Sequence, residues 1–538
     1  FGTAGCQKGA TSGRLGAVAA NVGSAVTSSS KTGAGAKGGS GGGGYGGTGA
    51  NSNVGGAVGG DNGVGGYGGS DTGGMSGVVG GSGGNMGGVP AAMTKWSAAA
   101  MYAGEKRAEA IAVDTMGNIV MAGSAKGSFA FPPLMPVQNQ GEWDAWLVKF
   151  DATGNCLWVK GFGDPADDFG YAIATDGRDN IIVAGAFNEG INLGGNQLTS
   201  GGQADAFVAK FAPNGTHLWS RRYGSSSNAR VTALAVNSTD DIFLTGQFGQ
   251  KIDFSVAVDD GTNQFDSNVG GGPPALNILT ATGQDIFVAK LLADGQHVWS
   301  KNYGNAGDQH GGKIKVDSSG NIWLAGDFSG TISFGGQILS TGFDLDIYLA
   351  KLTDTGGHLY SKKFGTLDQQ QIGGLAIDSM DNVIIAGEFV KDIFFGGMTH
   401  VAGSSDAFVA KFATDGTFMW SKAFGDGDPQ GGADVTTDAA DNVTVVGYNA
   451  GKVDTTMGVL TTAGAQDVFV LQLKANGDFN WAGGYGNTSS DSGTVCTASG
   501  NEIVAAGRFV KAINFGTGPL VPGDMDIQTF LVRFAAYP

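Results

Sequence analysis

Apolar and polar positions along residues 91–538 fall into short runs of β-branched, aromatic and small apolar residues, separated by Gly, Asp and Asn. One stretch shows the order most plainly: Leu375-Ala376-Ile377-Asp378, Asn382-Val383-Ile384-Ile385-Ala386-Gly387, Asp406-Ala407-Phe408-Val409-Ala410-Lys411-Phe412, then Phe418-Met419-Trp420-Ser421-Lys422. Such runs predict four strands joined by turns, named A, B, C and D in chain order. The A–B turn recurs as Asp-x-x-x-Asn (Asp114 to Asn118, Asp176 to Asn180, Asp317 to Asn321, Asp378 to Asn382, Asp438 to Asn442). Asp and Asn suit it because their side chains bond the local backbone and tolerate left-handed geometry. The unit recurs on the anchor glycines Gly123, Gly185, Gly246, Gly326, Gly387, Gly447 and Gly507, at intervals of 62, 61, 80, 61, 60 and 60 residues. Seven four-stranded units predict an all-β chain closed as a seven-bladed β-propeller over 91–538.

A four-stranded sheet cannot bury both faces alone, so the blades must stack around an axis. Ala209 to Gly215 to Trp219 and Ala410 to Gly416 to Trp420 share A-x5-G-x3-W. This spacing resembles the tryptophan-docking motif of quinoprotein-type propellers, which implies an indole wedged between neighbouring blades. Trp96, Trp158, Trp219, Trp299, Tyr360, Trp420 and Trp481 fill that place. The chain ends on a C strand, Phe530 to Phe534, and the repeat region opens on a D strand at Trp96-Ser97, so the two ends are expected to complete one blade. The repeats Gly-Gly-x-Ala-x-Asp, Asn-x-x-x-Ala-Gly-x-Phe, Asp-x-Phe-Val-x-Lys-Phe and Trp-Ser-Lys-x-Phe-Gly are together similar to the bacterial SBBP repeat. The third unit departs with Asn237 and Asp241 in the turn, the sixth with Gln472 for Lys, and the seventh with Thr497 at the turn Asp and a shifted Asp526. The resemblance implies a surface or secreted bacterial protein and says little about chemistry.

Residues 1–90 are a different material. Thirty-five of them are glycine and no acidic residue precedes Asp61, a composition expected to remain a flexible tether with a root-mean-square reach of roughly 50 Å. Thr3-Ala4-Gly5-Cys6 resembles a bacterial lipobox, with Thr3 where Leu is usual. Cys6 is therefore a candidate lipidation site, and an incidental cysteine in low-complexity sequence is the alternative. Starting at Phe1, the chain reads as processed or truncated.

Net charge is −17, and the tail's four basic and two acidic residues leave −19 on 91–538. An acidic ring repels phosphate backbones, which argues against nucleic acid. No apolar run approaches a transmembrane span. Cys156 and Cys496 fall on outer and inner strands, too far apart for a disulfide.

The D–A and B–C connections of a propeller emerge on one face around the central channel. Counting along the D–A loops makes Asp168, Gln309, Gln370, Gln430 and Asp491 equivalent, with Arg230, His310 and Gln371 one residue further on. Asp168, Arg230, His310, Gln371 and Asp491 are the candidate ligand-binding residues, a set suited to a hydroxyl-rich ligand or a cation; solvated turn residues are the plainer expectation. The third unit's insertion, about Ser255 to Gly283, carries Asp259, Asp260 and Asp266 without EF-hand spacing, so calcium is a possibility and no other cofactor is implied. His217, His297 and His358 stand on diverging outer strands and should not meet at a metal. No nucleophile elbow, HExxH, P-loop or Cys-His cluster is present. The sequence thus points to a non-enzymatic bacterial surface or extracellular propeller, an outer-membrane lipoprotein if Cys6 is acylated, that binds a protein or polysaccharide through one face. The alternatives are an architectural subunit of a larger assembly and a polysaccharide-acting enzyme using acids such as Asp168 and Asp491.

Overall fold

The computed structural model describes residues 91–537 except 101, 256–257, 260–276, 306, 343, 367 and 523–525, with backbone only at 258–259. The tail with Cys6, and Asp260 and Asp266 of the insertion, lie outside the described residues. Each repeat forms a four-stranded antiparallel sheet in the order A-B-C-D, and in blade two Val258–Asp259 of the insertion adds a fifth strand on strand D. Blade one runs Lys106–Val113, Ile119–Ala125, Asp144–Phe150 and Cys156–Phe162, and blades two to six repeat it. Blade seven takes Ser492–Ser499, Glu502–Phe509 and Gln528–Phe534 from the C-terminus and Thr94–Ala99 from the start of the ring. Ala98 pairs with Leu531 and Ala99 with Phe530, so hydrogen bonding closes the ring. Strands B and C are buried along nearly their whole length and the inner A strands pack on one another around the axis. Every A strand carries a β-bulge near its fourth residue, as between Ala108 and Ala110 and between Gly170 and Ala172. At the bulge, Thr232 Oγ1 donates to Gly311 O (2.6 Å) and Thr494 Oγ1 to Ala108 O (3.0 Å), tying each strand to the next blade.

Two devices seat each blade on its neighbour. The first is the docking aromatic. Trp96, Trp158, Trp219, Trp299, Tyr360 and Trp420 lie against Gly154, Gly215, Gly295, Gly356, Gly416 and Gly477, each in the C–D turn of the following blade. These glycines have φ between +73° and +93°, and a Cβ there would press on the ring or on the side chain packed beside it, so both backbone and space demand glycine. Trp481 is fully buried against Phe534, 5.7 Å between ring centroids.

The second device is a buried lysine clamp. Asp378 Oδ1 accepts from the backbone N–H groups of Met380 (3.0 Å) and Asn382 (2.9 Å), and its Oδ2 accepts from Asn382 Nδ2 (2.8 Å) and Lys411 Nζ (2.8 Å). Lys411 Nζ also donates to Ala475 O of the next blade at 3.1 Å. Burial opposes ionisation of Asp378, but the bonds from Lys411 and Asn382 outweigh it and hold the carboxyl below its ordinary range. Lys149–Asp114, Lys210–Asp176 and Lys351–Asp317 repeat the pair at 2.7–2.9 Å. The aspartates of the A–B turns are thus fully engaged in folding.

The departures from the repeat compensate one another. In blade three the carboxylate moves to Asp241, and Lys290 follows it at 2.9 Å. In blade six Gln472 Nε2 reaches Asp438 Oδ2 (3.2 Å) while its Oε1 accepts from Trp481 Nε1 (2.8 Å). In blade seven the turn lies at Ser499–Glu502, not at Thr497, and Arg533 pairs with Glu502 at 2.7 Å. Gln528 takes the place of the first C-strand aspartate, and Asp526 instead accepts from Gly104 N at 2.7 Å.

Lys411→Ala leaves a buried, uncompensated Asp378 and is expected to cost about 3–5 kcal/mol, whereas Lys411→Gln, which copies blade six, should cost less than half of that. Urea unfolding of both variants checks this, and equal losses would contradict the clamp.

Candidate functional site at the channel mouth

The residue that opens each A strand, or in blade seven Asp491 just before Ser492, lies in the seam between blades. Its backbone N–H bonds the residue just before the preceding blade's C strand, as in Asp168 N to Trp143 O (2.7 Å), Gln370 N to Leu345 O (2.9 Å) and Asp491 N to Gln466 O (2.8 Å). In blades two, four, six and seven its side chain holds the D–A loop above it. Gln309 Oε1 accepts from Asn305 N (3.3 Å), Gln430 Oε1 from Asp426 N (3.2 Å), Asp168 Oδ2 from Asp164 N (3.1 Å) and Asp491 Oδ2 from Asn487 N (3.0 Å). The equivalence read from spacing holds, but the depth differs from the expectation. Asp168 and Asp491 have no exposed surface and stand in different seams, one between blades one and two and the other between six and seven. They are loop supports rather than solvent-facing ligands.

The seams also differ in chemistry. Asp285, Asp346 and Asp406 each sit beside a glutamine (Gln309, Gln370, Gln430) across a tight glycine. Asp144 instead faces Asp168 across Gly163, an acid against an acid. Burial, with the neighbouring charges of Asp164 and Asp144, pushes Asp168 up to about 8; burial, with Asp467 beside it, pushes Asp491 up to about 6. Both carboxyls favour the proton in the folded chain.

The residue after this seam position stands on the rim, opposite the residue after the anchor glycine of strand B. Arg230 pairs with Gln247, His310 with Asp327, Gln371 with Glu388 and Ser492 with Arg508. Arg230, Gln371 and Arg508 are exposed, and His310 is half-buried. His310 Nδ1 lies 3.1 Å from Asp327 Oδ2, a bond that raises the imidazole's affinity for a proton. Asp327 is itself fixed by Ile372 N (2.8 Å), and Tyr448 donates to Glu388 Oε2 at 2.6 Å. Arg230, His310 and Gln371 therefore share one register on one face, and Asp168 and Asp491 lie beneath it.

A cavity of about 520 Å³ is lined by all seven A strands, with Glu109, Lys313, Lys315 and Asp434 among its residues. Burial raises the Glu109 carboxyl, partly offset by Arg107, Lys313 and Arg508, and burial likewise raises Asp434, offset by Lys313. Cys496 lies on the strand that lines this cavity, but its thiol meets Thr444 O of blade six (3.9 Å) in the buried seam, and burial with the Asp434 charge pushes it far up, so it is a poor nucleophile. Cys156 and Cys496 are both free thiols. Among the described residues no group of three His, Cys, Asp or Glu is arranged to hold a metal ion.

Spacing alone did not single out an aromatic ladder beside Arg230. The Arg107 guanidinium lies 4.3 Å from the centre of the Trp143 ring, Lys126 Nζ lies 5.1 Å from it, Trp143 meets Phe169 at 6.1 Å, and Phe169 and Tyr171 run parallel (7°) at 5.5 Å. The available signal was Phe169-Gly170-Tyr171, two aromatics where most blades carry small or polar residues at those A-strand positions.

No protein-family model matches the chain. It is 24% identical over 452 residues to an uncharacterized WD repeat-containing protein of Acanthamoeba polyphaga mimivirus, covering 69% of this chain and 32% of the relative. It is 26% identical over 182 residues to the regulatory protein FlaEY of Caulobacter vibrioides, covering 31% of this chain and 19% of that protein. The chain therefore spans a third or less of the length of these curated relatives. Among solved structures, the Neurospora crassa Pan2 WD40 domain aligns with a TM-score of 0.38 at 12% identity, covering 80% of this chain and 90% of that one. No helix among the described residues is long and apolar enough to cross a membrane.

Because Asp168 and Asp491 bind protons more tightly folded than the roughly 3.9 expected unfolded, their effect is fully favourable below about pH 4 and is lost as pH rises through about 6 for Asp491 and about 8 for Asp168. Melting of the chain should drop between pH 5 and pH 8.5, and Asp168→Asn should flatten that drop. Identical slopes for wild type and variant would contradict the assignment.

Proposed function

We propose that the chain is a non-enzymatic binding propeller of the SBBP type, working at a bacterial cell surface or outside the cell, which engages a protein or polysaccharide partner through the face formed by the D–A and B–C connections. One observation carries this reading. In a chain of net charge −17, three of eight arginines (Arg107, Arg230 and Arg508) gather at the channel mouth, with an aromatic ladder and half-buried polar groups beside them. Arginine, tryptophan and tyrosine are the residues that most often anchor a partner, and here Trp143 is buried while Phe169 and Tyr171 are half-buried beside the arginines.

The opposite face offers less. Its A–B turns bond one another from blade to blade, Thr115 to Asp179, Gly177 to Asp240 and Ser379 to Asp441, at 2.7–2.8 Å. The polymer-acting enzyme is the weaker reading, since Asp168 and Asp491 stand in separate seams and hold backbone N–H groups. A glycine-rich tether over 1–90 with a lipid on Cys6 belongs to the same proposal. No resident cofactor is proposed, and calcium at the insertion is a matter for the binding assay.

Arg107→Glu, Arg230→Glu and Arg508→Glu together replace three positive charges at the mouth by negative ones. Applied to an array of acidic and neutral polysaccharides and bacterial surface proteins, the full chain should bind at least one class, and the triple variant should lose that binding by more than about tenfold with an unchanged fold by circular dichroism. Undiminished binding by the variant, or silence of the wild-type chain toward both classes, would overturn the reading.

A further inference from the structure

A hollow of about 260 Å³ opens on the same face between blades two and three. Its walls include Phe169, Tyr171, Asn188, Asn228, Arg230 and Gln284, and no acidic residue lines it although the ring carries −19. We infer that this hollow is a subsite for one carboxylate-bearing pyranose, a uronic acid unit of an acidic polysaccharide. The inference rests on the binding function proposed above and names its ligand class.

Three features fit a uronate. The parallel Phe169 and Tyr171 rings give the apolar surface against which the C–H face of a sugar packs. The amides of Asn188 and Asn228 are each anchored by one backbone bond, Asn188 Nδ2 to Asp167 O (2.9 Å) and Ala204 N to Asn228 Oδ1 (3.2 Å), so polar groups suited to hydroxyls are held in place beforehand. Arg230 is exposed at the wall, and the Gln247 amide, turned with its oxygen toward the guanidinium, accepts from Nε at 2.9 Å and from Nη2. The Tyr171 hydroxyl also meets the Arg230 side chain, and the remaining N–H groups of the five-donor fork are left for a ligand carboxylate. The volume falls just under the roughly 300–1,000 Å³ of pockets that take drug-sized molecules, which suits a single ring. Gly249 also borders the hollow, and a Cβ built on it meets nothing within 4 Å, so a larger side chain there would fill the space without disturbing the blade.

Calorimetric titration of the full chain with trigalacturonate, triguluronate and triglucuronate, with their carboxyl-reduced neutral counterparts and with a Glu-rich peptide, tests this. At least one uronate should bind, its neutral counterpart at least tenfold more weakly. Arg230→Gln should weaken the uronate by about 10- to 100-fold, and Gly249→Leu by a similar factor. Arg178→Gln, exposed in the A–B turn of blade two, should change nothing. Unaltered affinity in both Arg230→Gln and Gly249→Leu, equal binding of the neutral sugars, preference for the peptide, or no uronate binding at all would each overturn the inference. Binding of neutral glycans or of a protein that is still lost in the triple mouth variant would leave the broader binding function standing while removing this subsite.

Discussion

Each lysine clamp joins a blade's own A–B turn to the C–D turn of the next blade, and the ring depends on that link. Lys411 touches Asp378 on one side and Ala475 on the other, so neither blade reaches its full complement of bonds without its neighbour. The docking aromatic does the same by packing, laying one blade's outer strand on a glycine that only a left-handed turn could present. A buried ion pair contributes little net stability by itself, but losing one partner is costly. Repetition around a closed circle therefore makes the interfaces all-or-nothing. Pairing of Thr94–Ala99 with Gln528–Phe534 removes the remaining seam.

The same constraint divides the molecule into a stiff side and a variable side. Around the A–B turns and outer strands, the residues repeat because each has a partner in the adjacent blade. At the mouth the seam residue still supports its loop in most blades, but the residue after it is Arg107, Phe169, Arg230, His310, Gln371, Gly431 and Ser492 in successive blades, without a repeating type. Variation is tolerated there because the rim residue is not needed for seating. A rigid scaffold with divergent rim residues is the arrangement in which binding sites arise.

Strand order, ring closure and the docking aromatics were legible in the sequence because they follow from local period and from features that recur seven times. The A–B turn aspartates were also correctly read as structural, although their lysine partners lie tens of residues away and appear only once strands C and A are paired through B. Depth was harder to read. Counting from a glycine makes Asp168 and Asp491 equivalent to Gln309, Gln370 and Gln430, yet equal position says nothing of whether a side chain faces solvent or a seam. The ladder of Trp143, Arg107, Phe169 and Tyr171 joins two blades, so no periodic pattern announces it. Arg230 was found for its place in a loop, and its aromatic company became visible only with the blades side by side.

Hydrogen–deuterium exchange on the full chain, free and saturated with whichever polysaccharide or protein it binds, tests most directly whether the mouth is the working face. Protection confined to the D–A and B–C connections and the first turns of strands A, including Arg230, His310 and Gln371, is the predicted result. Protection on the A–B turns, on the outer D strands or in the glycine-rich segment, with the mouth unchanged, would contradict it.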